Sequence, residues 1–329
     1  SAPIIRQPAG WDKQNARKEQ GPRESRPEPL KTGGHIPTMI LNTNNHKEDA
    51  MKLGGSVVGP WHTPEEFLAL LKDTGFAAIP CPVDSNTDQT LAREVIAAVR
   101  ESGVVIAEVG VWRNLLDPDA ARQEHNLAYA RAQLSLAEEY GIPCCVNIAG
   151  APGPRWDGPY KANYTQETYD QIIRTIQEVI DGVQPKRAFY TLEPMPWMLP
   201  DGPDEYLQML QDIDRPQFAV HMDFVNMINS PRRFLYAHEF IEECLVRLGP
   251  HIKSTHLKDS LMEPDFTCLV RETAPGLGQL DFALVLDSIH RHLGPDAPVL
   301  LEHMDTAADY RQAFLHLSAI AAEWDIPIR

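Results

Sequence analysis

Short apolar runs of β type alternate along the chain with longer amphipathic stretches, at nearly regular intervals. Strand candidates fall at 36–41, 76–80, 104–110, 143–148, 187–193, 217–222, 251–256 and 297–302. Most are almost continuously apolar, the form taken by strands covered on both faces. Between them the period changes to the helical one, at 64–73, 88–101, 118–140, 167–182, 202–212, 235–248, 281–292 and 306–324. Thr63-Pro64-Glu65-Glu66 supplies a capping hydroxyl, a proline at the first helical position and acids in the first turn. In 118–140 the residues Leu127, Ala130, Leu134 and Ala137 form one inward stripe, and Gly141 stands where the helix should stop.

Eight strand–helix pairs in alternation predict an α/β protein with a parallel sheet. No glycine-rich phosphate turn follows an early strand, as an open dinucleotide-binding sheet would require. The expected architecture is therefore a single closed (β/α)8 TIM barrel over 36–329, with its active site at the C-terminal strand ends. Residues 1–35 are polar, rich in Pro and Gly, and lack a sustained period. They read as an irregular N-terminal arm, either a flexible tail or a strap over a neighbouring subunit anchored by Trp11. Segments 42–62, 149–164 and 259–280 read as long loops that shape the pocket.

Composition narrows the partners. With 46 acidic against 30 basic residues the formal net charge is −16, which repels phosphate backbones and anionic lipid and argues against nucleic acid and membrane surfaces. A hydrophobic fraction of 43% supports a full core. The five cysteines have no paired spacing, so they read as reduced thiols, and cytoplasm is the expected compartment.

Four strand candidates end in a side chain able to hold a metal: Glu193, Asp223, His256 and Glu302. They lie 30, 33 and 46 residues apart, each a plausible span for one βα unit, so in a barrel they converge on one arc of the rim. The mixed oxygen and nitrogen set suits Mn²⁺, Co²⁺, Mg²⁺ or Zn²⁺ rather than a thiolate-selecting site. His221 shares a strand face with Asp223 and reads either as a substrate contact or as a histidine behind the ligands. Lys258 and Arg271 could hold a phosphate, carboxylate or sugar oxygen, and Asn147 a hydroxyl. Trp61, Trp112, Trp156 and Trp197 fall beside strand ends, where Trp112 and Trp197 in particular could stack on a substrate ring.

These residues carry a resemblance to the xylose-isomerase-like barrels, including sugar epimerases of the D-tagatose 3-epimerase type. The matching stretches are Leu192-Glu193-Pro194, His221-Met222-Asp223, His256-Leu257-Lys258-Asp259, Leu301-Glu302-His303 and Pro275-Gly276-Leu277-Gly278-Gln279-Leu280-Asp281-Phe282. The resemblance implies a divalent ion, Mn²⁺ foremost, held by Glu193, Asp223, His256 and Glu302, with Glu193 and Glu302 also exchanging a proton beside a sugar carbonyl. It implies a small-molecule sugar or glycoside substrate and a homo-oligomer. Where the ketohexose epimerases keep a histidine three residues after the aspartate and a glutamate six after the first glutamate, this chain has Asn226 and Leu199. A second reading is the metal-binding α subunit of a C-glycoside deglycosidase, a lyase on 3-oxo-glycosides with a small partner subunit. A third is a non-catalytic sugar-binding barrel.

Overall fold

Every apolar run that the sequence places between residues 76 and 302 becomes a strand of one closed parallel sheet. The structure, a computed structural model, describes residues 50–329. The barrel strands are β1 (Lys52–Gly55), β2 (Ala78–Pro80), β3 (Val105–Gly110), β4 (Cys144–Asn147), β5 (Phe189–Leu192), β6 (Phe218–Asp223), β7 (Ile252–Leu257) and β10 (Pro298–Leu301). They follow one another around the wall, and β1 pairs with both β2 and β10 to close it. The remaining strands, β8 (Asp259–Glu263) and β9 (Leu269–Thr273), form an antiparallel hairpin outside the barrel. The expected (β/α)8 barrel is therefore present.

Eight main helices match the periodic stretches: α1 (Pro64–Thr74), α2 (Gln89–Glu101), α3 (Ala120–Tyr140), α4 (Gln166–Val183), α5 (Pro203–Ile213), α8 (Ala237–Leu248), α9 (Phe282–Leu293) and α10 (Ala307–Glu323). Two short helices, α6 (Phe224–Met227) and α7 (Pro231–Leu235), lie between β6 and α8. The buried side of α2 is Ala92, Val95, Ile96 and Val99, and that of α4 includes Ile172, Ile176, Val179 and Ile180, the 3.6-residue stripe of a helix laid on a sheet. Thr63 accepts from the Glu66 N–H as the cap of α1, and Gly141 ends α3 at φ 63°, where a β-carbon would be strained. Among the described residues no helix is long and apolar enough to cross a membrane.

The first strand is displaced from its expected place. The candidate at 36–41, the arm over 1–35 and Trp11 lie outside the described residues, and β1 occupies part of the segment read as a loop over 42–62. Its sequence, Lys-Leu-Gly-Gly, has one apolar side chain and no β-branched residue, so no run marks it. The glycine is required by contact: a β-carbon on Gly54 would lie 1.6 Å from the Ala78 carbonyl oxygen on β2. The segment 259–280 likewise holds the β8–β9 hairpin rather than an irregular loop.

Between α3 and β5 the chain is tied by one carboxylate. Oε2 of Glu138 accepts from the backbone N–H groups of Lys186, Arg187 and Ala188 at 3.0, 2.8 and 2.9 Å. Burial works against its ionisation, but these three donors outweigh that and lower its pKa from 4.5 to about 2.

Two outcomes are expected. Gly54→Ala should destabilise the barrel by about 3 kcal/mol or more through overpacking at the β1–β2 seam, measured by urea denaturation. Glu138 contributes stability that is complete above its unfolded-state pKa and is lost as pH falls through 4.5 toward about 2. Glu138→Gln should therefore lower Tm at pH 7, and the gap to the parent protein should close progressively below pH 4.5; a gap independent of pH would refute this account.

Candidate active site

The four acid and imidazole positions at the ends of β5, β6, β7 and β10 meet at the C-terminal mouth. Glu193 directly follows β5, Asp223 ends β6, His256 is the penultimate residue of β7 and Glu302 directly follows β10. These strands are consecutive in the wall, so one arc supplies all four. One ligand-capable atom from each lies within 4.8 Å of the others. Nδ1 of His256 stands 3.5 Å from Glu193 Oε1 and 3.1 Å from Glu302 Oε1.

A fifth residue, which the sequence reading missed, orients the imidazole. Glu108 sits on the inner wall of β3 and is fully buried. Its Oε1 lies 2.8 Å from His256 Nε2, its Oε2 lies 3.1 Å from His221 Nε2, and the Ser254 hydroxyl donates to it. A carboxylate on Nε2 keeps a proton there, so that Nδ1, facing Glu193 and Glu302, is the nitrogen a cation would take by displacing its proton, the arrangement usual for a metal-binding histidine. Burial alone would raise the Glu108 pKa, but the His256 and His221 imidazoles prevail and hold it far below the carboxylate range. The only sequence signal was one acid within the run Val105–Gly110.

Lys258 lies inside this cluster rather than on the rim. Its Nζ is 2.6 Å from Asp223 Oδ2, 3.0 Å from Glu302 Oε2 and 3.1 Å from Glu272 Oε2. Burial disfavours the ammonium, yet Asp223, Glu302, Glu193 and Glu272 raise its pKa well above the lysine value. For His256 too, burial opposes the charge, while Glu302, Glu108 and Glu193 lift its pKa. Asp223 is pushed up to about 6 by burial, against Lys258 and with the help of Glu193 and Glu302. Glu302 is held well below 4.5: burial opposes this, but His256 and Lys258 dominate.

The cluster fits a divalent cation. Asp223 Oδ2, Glu302 Oε2 and His256 Nδ1 are buried and make no well-directed hydrogen bond, although Lys258 stands close to both carboxylates. Five carboxylates, counting Glu108 and Glu272, face Lys258 and His256, so negative charge remains in excess for a bound cation. Three carboxylates and one imidazole form a set suited to Mn²⁺, Mg²⁺, Co²⁺ or Zn²⁺.

Two adjoining cavities open above the cluster. The first, about 580 Å³, is floored by Glu193, His256 and Glu302 and walled in part by Trp112 and Trp156. The second, about 400 Å³, is bordered by Trp197, Asn226, Arg271 and Glu272. Asp157, Met195 and His303 line both.

The other expected contacts divide. Trp112 and Trp197 face cavities, whereas Trp61 packs edge-on against Phe67 at 5.1 Å. Arg271 is exposed at the second cavity and pairs with Glu263. His221 lies beneath the floor on Glu108 and lines neither cavity. Asn147 is buried and engages the Arg113 backbone through both ends of its amide. Leu199 packs against the apolar core. Asn226 links the site instead: its Nδ2 donates to Glu193 Oε1 at 3.0 Å and its Oδ1 accepts from Lys258 at 3.2 Å. His303, at φ 57°, reaches Glu272 at 3.0 Å.

The conspicuous Pro-Gly-Leu-Gly stretch folds around Asp259. That carboxylate accepts from the N–H groups of Ser260, Gly276, Gly278 and Leu280 at 2.8 to 3.1 Å, closing the base of the hairpin onto the end of β7.

Residues 68–320 match the family described as xylose isomerase-like TIM barrel. No curated protein sequence gives a significant match. Among solved structures, the apo 3-keto-D-glucoside 4-epimerase from E. coli superposes with a TM-score of 0.60 at 18% identity, covering 82% of this chain and 99% of that one. A D-psicose 3-epimerase solved with D-fructose gives 0.60 at 14% identity, covering 84% and 99%. A xylose isomerase-like barrel protein from Mycobacterium smegmatis, in complex with magnesium, gives 0.59 at 16%, covering 85% and 98%. At these identities the likeness is one of fold.

Glu108→Leu should cost about 3–5 kcal/mol in urea denaturation, because it leaves two imidazoles buried without their counter-charge. A loss below about 1 kcal/mol, the typical figure for an exposed pair, would show that the buried carboxylate is not what organises the site.

Proposed function

We propose that this chain, which belongs to the xylose isomerase-like TIM barrel family, is a divalent-metal-dependent sugar isomerase or epimerase that moves a proton beside a carbonyl. The observation that carries this reading is the convergence of Glu193, Asp223, His256 and Glu302 on one point of the cavity floor. The keto-sugar epimerases among the structures of similar fold support it. Mn²⁺ is the foremost candidate cation. The free thiols of all five cysteines accord with a reducing compartment such as the cytoplasm.

A bound divalent ion would polarise the substrate carbonyl and acidify the adjacent C–H. Glu193 and Glu302 would serve as the proton carriers: one, as the carboxylate, takes the proton from carbon, the electron pair moves onto the carbonyl oxygen as an enolate, and the other, having first taken a proton from solvent, delivers it to carbon. Asn226 positions Glu193 through its amide, and Glu108 fixes the His256 ring. Lys258, next to Asp223 and Glu302, keeps this acidic floor from repelling the developing oxyanion. A lyase on 3-oxo-glycosides begins with the same proton abstraction and expels the aglycone from the enolate. The second cavity, adjoining the carboxylate floor, is the feature that favours it.

Incubating a ketose or 3-oxo-glycoside with the protein and Mn²⁺ in deuterated water should wash deuterium into the carbon beside the carbonyl. Glu302→Gln should slow this exchange roughly 10²–10⁴-fold, the usual contribution of a general base; exchange at the parental rate would refute the assignment. Mn²⁺ at a hundred times its Kd should stabilise the parent protein by about 2.7 kcal/mol in thermal unfolding, and Asp223→Asn should abolish most of that gain.

A further inference from the structure

The carboxylate floor carries a positive charge of its own. Nζ of Lys258 stands 2.6 Å from Asp223 Oδ2 and 3.0 Å from Glu302 Oε2, oxygens of two of the four groups that converge as a metal-competent set. Neither oxygen receives a well-directed hydrogen bond. The ammonium donates instead to Asn226 Oδ1 at 3.2 Å. Lys258 therefore offsets the charge of these two carboxylates without taking up their lone pairs in hydrogen bonds.

A divalent ion drawn to Asp223 and Glu302 would meet this ammonium within a few ångströms. Two positive charges that close repel appreciably even at a high effective dielectric constant. Lys258 is only 1% exposed, so salt and water screen the repulsion little. The ion binds more weakly for it, unless the ammonium can withdraw.

Glu272 gives it a place to go. Its Oε2 lies 3.1 Å from Nζ, and both its oxygens lie 3.0 Å from His303 Nδ1. Glu272 stands on β9 at the border of the second cavity, outside the set of four groups. It can hold the ammonium without competing for the ion. We propose that Lys258 is a built-in competitor of the divalent ion, and that Glu272, by drawing the ammonium toward the hairpin, is the positioning residue that sets how tightly the ion is held. This assignment rests on the metal-binding reading of the floor and is tested by ion affinity rather than turnover.

The experiment is calorimetric titration of metal-free protein with MnCl₂, for the parent, Lys258→Met, Glu272→Gln and the double variant. Lys258→Met should bind Mn²⁺ at least about tenfold more tightly than the parent. Glu272→Gln should bind it about threefold more weakly, the scale of a partly exposed ion pair. In the Lys258→Met background the Glu272→Gln change should alter Kd by less than about twofold, as expected once no ammonium is left to hold. An equal Glu272 effect in both backgrounds would show a carboxylate acting on the ion directly and would overturn the proposal. Unchanged or weaker binding by Lys258→Met, or no effect of Glu272→Gln on the parent, would do the same. A crystal structure of the Mn²⁺-loaded parent supplies a check that needs no variant: Nζ should lie against Glu272, and Nζ still in contact with Asp223 beside a bound ion would refute the withdrawal. No Mn²⁺ binding by any of the four proteins would sink the metal reading and this assignment together, whereas binding by Lys258→Met alone would show the competitor prevailing.

Discussion

A carboxylate in the middle of a barrel wall must find opposite charge, and Glu108 finds it across the interior. From β3 it reaches Ser254 and His256 on β7 and His221 on β6. An unpaired carboxylate at that depth would cost several kcal/mol, so the inward-facing positions opposite β3 are restricted to residues that can donate to it. Once His256 gives Nε2 to Glu108, only Nδ1 remains for the mouth. The direction of that one atom defines where Glu193, Asp223 and Glu302 must converge. Lys258 stands beside Asp223 and Glu302, and Asn226 beside Glu193, so that a cation and one ammonium share the carboxylates gathered there.

Much of this was legible from residue order. Strands covered on both faces leave largely apolar runs, and seven of eight barrel strands coincide with the β-type stretches of the sequence, although β7 carries Lys253, Ser254, Thr255 and His256. The eighth, β1, escaped because it works through absence of side chains: Gly54 lies against the Ala78 backbone, and glycine carries no hydrophobic signal. The four residues of the metal-competent set stood out because each broke an apolar run at its end. Glu108 did not, since it interrupts a run in its middle and its partners lie 113 and 148 residues away. Distance along the chain also hid the environment of Lys258, which reads as a rim residue and is buried among acids. His221 and Asn147 were visible as polar residues near strand ends, but strand alternation does not say whether a side chain stops at the cavity or below it.

The site divides its labour by polarity. On the floor, charge density is high and hydrogen bonding incomplete, conditions that favour a cation and an oxygen-rich ligand. Beyond Met195 and His303, Trp197, Val225, Ile228 and Val270 stand beside side chains that carry charge in pairs, Arg271 with Glu263 and Glu272 with Lys258. Such a partition would let binding free energy from a remote part of a ligand assist events on the floor, provided the two parts are covalently joined.

The Asp259 clamp gives this arrangement modularity. Four backbone N–H groups from 260 to 280 are gathered on one carboxylate, so both ends of the hairpin are fixed where the chain leaves β7 and where it approaches α9. The intervening hairpin carries Val270, Arg271 and Glu272 into the second cavity. Its tip, over 264–268, can therefore vary without loosening the barrel, whereas Glu272 is tied to Lys258 and His303. New contacts can arise on the hairpin while the carboxylate floor below keeps its shape.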